Sequence, residues 1–418
     1  MKILVLGSGA REHAIVTSLL TEEVAHEIVV APGNAGIAQD VSVEPGLDPL
    51  NGEAVTEYAI EHDIDLVVIG PEAPLVAGVA DPLRTRGIPV FGPGKVAAQL
   101  EGSKTFAKRI MDAAGVPTGR AVRATTLLEA EEALDAFGAP YVVKADGLAA
   151  GKGVLVTEDR EAAVAHSSHY LEHGAVLVEE FLDGQEVSLF LVSDGHTVLP
   201  LSPAQDYKRL LDGDAGPNTG GMGAYSPLPW LPETFVDEVI ETVALPTVRQ
   251  LAREQTPFIG LLYCGLILTG RGIRVIEFNA RFGDPETQVV LPRLVTPLSE
   301  LLFAAATGAL ATQPRPEFAL DVAVAVVLAS EGYPEAPLTG RAITGLDEAA
   351  AVPEVTIAHA ATVRDAATGA LLATGGRVLC VVARGTTFAE ARALAYEAVG
   401  KIGLDGSQYR TDIAARVV

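Results

Sequence analysis

Along the first hundred residues, apolar positions fall in short continuous runs separated by stretches with helical spacing. ILVL (3–6) is followed by a helical stretch through Leu20, and EIVVAPGNAG (27–36) runs as a strand into a glycine turn. GEAVTEYAIEHD (52–63) has helical spacing and DLVVIGPEAPL (65–75) reads as a strand with a loop. A helix near 77–86 precedes PVFGPG (89–94). Strands that are apolar throughout, not alternating, predict a parallel sheet buried on both faces. Such sheets bind ligands beyond the carboxyl ends of their strands. The loops there are GSGAREHA, APGNAG, GPEAPL and GPGK, and a ligand site is expected along their shared edge.

A helical stretch, GSKTFAKRIMDAAG (102–115), leads to a small unit. That unit reads strand (120–124), helix (LLEAEEALDAFG), strand (YVVKA), glycine loop, strand (GVLVT), helix (about 159–173) and strand (VLVEEFL, 176–182). A strand-rich segment with one long helix at about 233–255 follows, to about residue 310. Beyond about 320, DVAVAVVLASEGYP, VTIAHAATVR, RVLCVVARG and FAEARALAYEAVGKIG make a final α+β unit. The expected division is a Rossmann-like domain (1–103), a helical linker (104–119), a small α+β lobe (120–188), a central body (189–318) and a C-terminal α+β domain (319–418).

Composition narrows the function. The 418 residues are too many for one compact core. Hydrophobic residues make up 49% and aromatics only 5%, so aliphatic side chains must build the core. The formal charge of −24 disfavours a nucleic-acid or anionic membrane partner. Two cysteines, Cys264 and Cys380, make neither a disulfide framework nor a zinc site, which favours a reducing cytoplasm. No uncharged apolar run approaches the roughly 18–20 residues that span a bilayer.

Four stretches carry chemistry. In YVVKADGLAAGKGVLV (141–156), Gly147, Gly151 and Gly153 let backbone N–H groups converge on an anion, and Lys144 and Lys152 add positive charge. In VLVEEFLDGQEVSL (176–189), Glu179 and Glu180 face opposite sides of a strand, so at most one enters a given cleft. A carboxylate or backbone group there suits an adenine amino group, and Glu186 suits ribose hydroxyls. In GIRVIEFNARFGDPETQ (272–288), Glu277, Asn279 and Arg281 share a face at period two. The oxygens of Glu277 and Asn279 suit a hard cation, and Arg281 suits a carboxylate or phosphate. The glycine-rich stretch 206–227 offers Asp212, Asn218 and Thr219 as polar contacts, with Met222 and Tyr225 packing.

GSGAREHA, APGNAG, GPEAPLVAG, EGSKTFAK, VVKADGLAAGKGV, QEVSLF, PNTGGMGAYSP and EFNARFGDPETQ occur in that order, with SQYRTDIA at the end. In this the chain resembles the ATP-grasp carboxylate–amine ligases, and among them those joining glycine to 5-phosphoribosylamine. The resemblance implies a preATP-grasp domain, a lid, an ATP-grasp body and a C-terminal domain. It implies ATP as cosubstrate, Mg²⁺ or Mn²⁺ as cofactor, a glycyl phosphate intermediate, a place in purine biosynthesis and a monomer acting on small molecules.

By position, the resemblance puts Lys104 and Lys144 on the ATP phosphates under the loop from Asp146 to Gly153. It puts Glu179, Glu180, Phe181 and Leu182 around adenine, Glu186 on ribose, and Glu277 and Asn279 on the metal. Arg281 and Asp212 fall near glycine and the acyl phosphate; Gly9, Asn34 and Glu72 are candidates for phosphoribosylamine, and Asn218 and Thr219 for substrate. The opening Gly7-Ser8-Gly9 turn competes as a dinucleotide site. Glu12, however, stands where that fold has its third glycine, so the turn is expected to hold the phosphate of phosphoribosylamine instead. Relatives often carry glycine at Ala10, whose methyl group is tolerated if φ is negative.

Overall fold

The computed structural model describes residues 1–148 and 153–417. Its first sheet holds five parallel strands: β1 (Lys2–Gly7), β2 (Glu27–Pro32), β3 (Ser42–Val43), β4 (Leu66–Ile69) and β5 (Val90–Phe91), in the order β3-β2-β1-β4-β5. Ile3 through Leu6 are wholly buried, as apolar strands covered on both faces must be. The helix Ala10–Leu20 leaves β1 at once, and Ala10 is its first residue, with ordinary negative φ.

The small lobe is an antiparallel sheet in which Ala121–Ala124, Val176–Glu179, Tyr141–Ala145 and Val154–Thr157 lie side by side. Its helices, Leu127–Phe137 and Arg160–Leu171, close a core of its own around Leu134, Val143 and Val178. The body is a second antiparallel sheet, ordered Val198–Pro200, Gln185–Asp194, Ile259–Thr269 and Gly272–Asn279.

Strand Gly223–Ser226 lies within the stretch assigned to the body, yet it pairs with Val322–Ala329. It thereby joins the last sheet, whose other strands are Gln205–Asp206, Arg377–Gly385 and Val355–His359. The long helix expected at 233–255 is present from Phe235 to Arg253, widened once along its length. Phe235–Val239 and Leu245–Arg253 flank a π-turn at Ile240–Ala244. Pro246 has no N–H to give, and the widened turn absorbs that loss just before it. Among the described residues no helix is long and apolar enough to cross a membrane.

Candidate active site

The helix Lys104–Ala114 is capped by the Ser103 side chain, which accepts from the Phe106 N–H. Its first two turns project Lys104 and Lys108, four residues apart and therefore on one face. Lys108 Nζ lies 3.2 Å from Glu179 Oε2, and Lys144 Nζ lies 3.1 Å from the same oxygen. One buried carboxylate thus serves two lysines from different elements. Burial pushes the Glu179 carboxyl up, but Lys144 and Lys108 outweigh it and hold the group below its usual range. Burial lowers both Lys104 and Lys108; Glu277 opposes it at Lys104. Glu179, Glu277 and Asp146 face these three lysines, so the ammonium groups are held in place by acids while gathered at one corner, where a polyphosphate can meet them. Lys108 escaped the sequence reading, although the i, i+4 spacing in KTFAK was its signal.

Asp146 fastens the glycine loop to this helix. It accepts from Thr105 Oγ1 at 2.6 Å and from Ser103 Oγ at 3.2 Å, while Lys104 Nζ donates to the Gly147 carbonyl at 3.0 Å. Gly153 lies at the far end of the loop; Gly151 and Lys152 lie outside the described residues.

Glu179 points inward to the lysines, so its carboxylate is taken up by them and not left for adenine. Glu180 turns the other way, 2.5 Å from Arg120 Nε, and Phe181 beside it is exposed. Glu186 pairs with Lys208 at 2.5 Å, and Lys208 holds its carboxyl below the usual range despite burial. Lys208 also reaches Asp206, at 3.0 Å; burial lifts the Asp206 carboxyl to about 6 against that lysine's pull.

Glu277 and Asn279 project from the strand Gly272–Asn279, which pairs Gly265 with Glu277 and Tyr263 with Asn279. Just past its end, Arg281 is ringed by acids. Its Nη2 lies 2.9 Å from Glu101 and its Nε 3.5 Å from Glu72. Burial raises Glu72, but Arg281 and Arg11 win and hold it low; at Glu101 burial wins and the carboxyl is raised. Two further partners also escaped the sequence reading. Glu101 carried no periodic signal, and Arg377 reaches Asp284 and the Gly220 carbonyl from 93 and 157 residues away.

Other predicted residues are employed elsewhere. The side-chain hydroxyl of Thr219 donates to the Lys208 carbonyl and accepts from the Gly221 N–H, which shapes the loop behind Asn218. Met222 and Tyr225 are buried. Asp212 does not join Arg281: it is exposed and accepts from the backbone N–H and hydroxyl of Thr411. Close by, Arg410 is buried against Asp214 at 2.9 Å and Asp412 at 2.6 Å, with its guanidinium over the Tyr207 ring. The local clustering of Gly, Asp and Asn around 212–219 gave no sign that the chain's last residues hold this loop.

At the opening turn, the Gly9 N–H expected to meet a phosphate donates to Glu12 Oε2 at 2.6 Å. The other Glu12 oxygen accepts from Arg11 Nε at 2.5 Å. A Cβ at Gly7 or Gly70 would collide with the Glu12 side chain, which therefore fills the cradle between β1 and β4. The anion at this turn is the protein's own. Asn34 is likewise occupied: its amide donates to the Ser8 and His359 carbonyls at 2.9 and 2.8 Å and accepts from Gly36 and Ile37.

A parallel front sheet, a separate antiparallel lobe and a body whose Glu–Asn strand faces lysines define an ATP-grasp enzyme. Family profiles match nearly the whole chain: phosphoribosylglycinamide synthetase N domain over 1–101, ATP-grasp (A) domain over 102–287 and C domain over 323–416. The chain belongs to the phosphoribosylglycinamide synthetase family. It is 82% identical to a phosphoribosylamine–glycine ligase of Leifsonia xyli over the full length of both chains. A Streptomyces coelicolor protein of the same name is 59% identical across 100% of this chain and 99% of its own. The crystal structure of the Thermotoga maritima phosphoribosylamine–glycine ligase superposes with a TM-score of 0.84 at 36% identity, covering 99% of this chain and all of that one.

Proposed function

We propose that the chain ligates glycine to 5-phosphoribosylamine, cleaving ATP to ADP and phosphate and giving glycinamide ribonucleotide for purine synthesis. One observation carries the site assignment. Lys104, Lys144, Glu277 and Asn279 come from three separate elements and lie around one corner, with Arg281 just past the strand end. In this reading the lysines hold the triphosphate and the loop from Asp146 folds over it. The backbone around Glu180, Phe181 and Leu182 meets adenine, and Glu186 meets ribose.

Glu277 and Asn279 would hold Mg²⁺ or Mn²⁺. Two oxygen ligands fit a cation that keeps waters and takes its remaining ligands from phosphates. Among the described residues no group of three His, Cys, Asp or Glu offers an all-protein cage instead. The metal supplies charge neutralisation on the transferring phosphoryl group.

Arg281 orients the carboxylate of glycine for attack on the γ-phosphate. The amine of phosphoribosylamine then displaces phosphate from the acyl carbon. No protein nucleophile is required, so catalysis is positioning and electrostatics. Glu72, loosely paired and partly exposed, faces the incoming amine or ribose. Gly9 and Asn34 shape that end of the site through the backbone they hold. We place the enzyme in the cytoplasm, as a monomer.

The test is ADP formation by the purified chain. It should require glycine and phosphoribosylamine together. ADP release that depends instead on bicarbonate or formate would overturn this reading.

A further inference from the structure

Arg281 is the residue on which the proposed acyl chemistry turns, and its surroundings are uneven. One N–H of Nη1 is used on the Phe282 carbonyl at 3.1 Å. Nη2 is 2.9 Å from Glu101 but 3.4 Å from Asn279 Oδ1, a weak second bond. Nε is buried and has no hydrogen-bond partner, since Glu72 stands off at 3.5 Å. Glu101 is the contrasting case. It lies in the last turn of the short helix Gln99–Gly102, its side chain is 7% exposed, and both its oxygens are engaged. One meets Arg281, and the other accepts from the Ala280 backbone N–H at 2.7 Å. It therefore grips the strand end and the guanidinium together.

We propose that Glu101 is a positioning residue for the ligation, keeping Arg281 at a long 3.4 Å contact with Asn279 and its Nε–H without a hydrogen bond, so that a substrate carboxylate displacing the loosely paired Glu72 can take it. The proposal rests on the reading of Arg281 given above. Three considerations carry it. The first is reach: Glu101 is the one of the two flanking acids within hydrogen-bond distance, so it fixes the guanidinium, while Glu72 is left available. The second is competition. Arg281 and Asn279 share a face two residues apart, and an arginine released from Glu101 has the Asn279 oxygen as its nearest alternative acceptor, the oxygen assigned to the metal. The third is charge. A buried guanidinium deprived of a close carboxylate is costly and moves toward whatever acceptor remains. A donor 1 Å out of place is enough to lose much of the rate that orientation provides.

The experiment compares Glu101→Gln, Glu101→Asp and Arg281→Lys with the unaltered chain, measuring KM and kcat for glycine and for ATP, with thermal melting alongside. Glu101→Gln should raise the glycine KM at least tenfold and the ATP KM severalfold less, the latter through Arg281 closing on the Asn279 oxygen. Glu101→Asp, which keeps the charge one methylene shorter, should recover part of that loss. Added to Arg281→Lys, Glu101→Gln should change the glycine KM less than twofold, because the group it positions is gone. If Glu101→Gln does not fold, the Glu101→Asp comparison carries the test through its separate effects on the two KM values. An unchanged glycine KM, or equal rises for glycine and ATP that track a lowered melting temperature, would overturn the proposal while leaving the ligase reading standing. An unaltered chain whose ADP release ignores glycine overturns both.

Discussion

His359 closes the junction between the first and last domains, and acid should open it. Its backbone N–H donates to His13 Nδ1 at 2.8 Å, which leaves the His13 proton on Nε2, 2.8 Å from Asp40. Its carbonyl accepts from Asn34 and its Nδ1 lies 3.1 Å from Thr362 Oγ1. The ring is packed where Gly36 has no side chain, since a Cβ there would strike it. Burial, then the nearby His13 and Arg364, depress the imidazole from 6.5 to about 4, with Asp40 opposing. The folded state therefore prefers the neutral ring. Its contribution is complete above pH 6.5 and is lost as pH falls toward 4.

The full difference is about 3 kcal/mol, from about 1.4 kcal/mol per tenfold change in proton affinity, and about 2 kcal/mol of it is gone by pH 5. Asp206 works in the opposite sense over the same range, because a carboxyl raised to about 6 gains stability when protonated. The measurement must therefore be differential. Urea unfolding followed by circular dichroism at pH 7.5 and pH 5.0 is compared for the unaltered chain and His359→Gln. The variant should be less stable at pH 7.5, yet lose about 2 kcal/mol less between the two pH values. Identical losses in both proteins would refute the reasoning, since His359 would then titrate alike folded and unfolded.

Two further perturbations test the assignments that the structure changed. Arg410→Met removes a buried guanidinium from Asp214 and Asp412, and because those acids are partly exposed the loss should be about 1–3 kcal/mol in urea unfolding. It should also expose the 209–218 hairpin to limited proteolysis at least tenfold faster; unchanged cleavage would mean the tail does not hold it. Glu12→Gly restores the dinucleotide glycine pattern but strips Gly9 and Arg11 of their acceptor, so about 2–3 kcal/mol of stability should be lost. NADH titrated by fluorescence should still not bind. Tight binding by that variant would show that Glu12 alone had masked a dinucleotide site.

What could be read from the sequence was whatever repeats over short distances. The strands of the front sheet declared themselves because burial on both faces demands unbroken apolar runs, and Glu277, Asn279 and Arg281 because a strand's period puts alternate side chains together. Lys104 and Lys108 obey the same kind of rule on a helix. Pairings across the fold have no such signature. Glu101 finds Arg281 across 180 residues, Arg377 finds Asp284 across 93, and Arg410 finds Asp214 across 196. Each is an arginine meeting an acid, and with 54 acidic side chains in the chain, composition alone cannot choose among partners.

The Glu12 turn fails for a different reason. Its pattern was legible, but a glycine turn that binds an external phosphate and one that folds onto an internal carboxylate differ in only one nearby residue. Physical chemistry makes the two nearly equivalent, because a helix N-terminus is satisfied by any oxygen anion. The consequence extends to the functional reading. With the Gly9 N–H taken by Glu12, we propose that the phosphate of phosphoribosylamine meets other groups along the sheet's carboxyl edge. Arg11 and Arg377 both sit there, each already balanced by an acid, Glu12 and Asp284 respectively. A dianionic phosphate bound by Arg11 or Arg377 would compete with Glu12 or Asp284 for that guanidinium. Of the two pairs, Arg377–Asp284 joins the last domain to the body, whereas Arg11 pairs within its own helix and reaches the body through the Phe282 carbonyl, so recruiting Arg377 would loosen a domain junction and recruiting Arg11 would not.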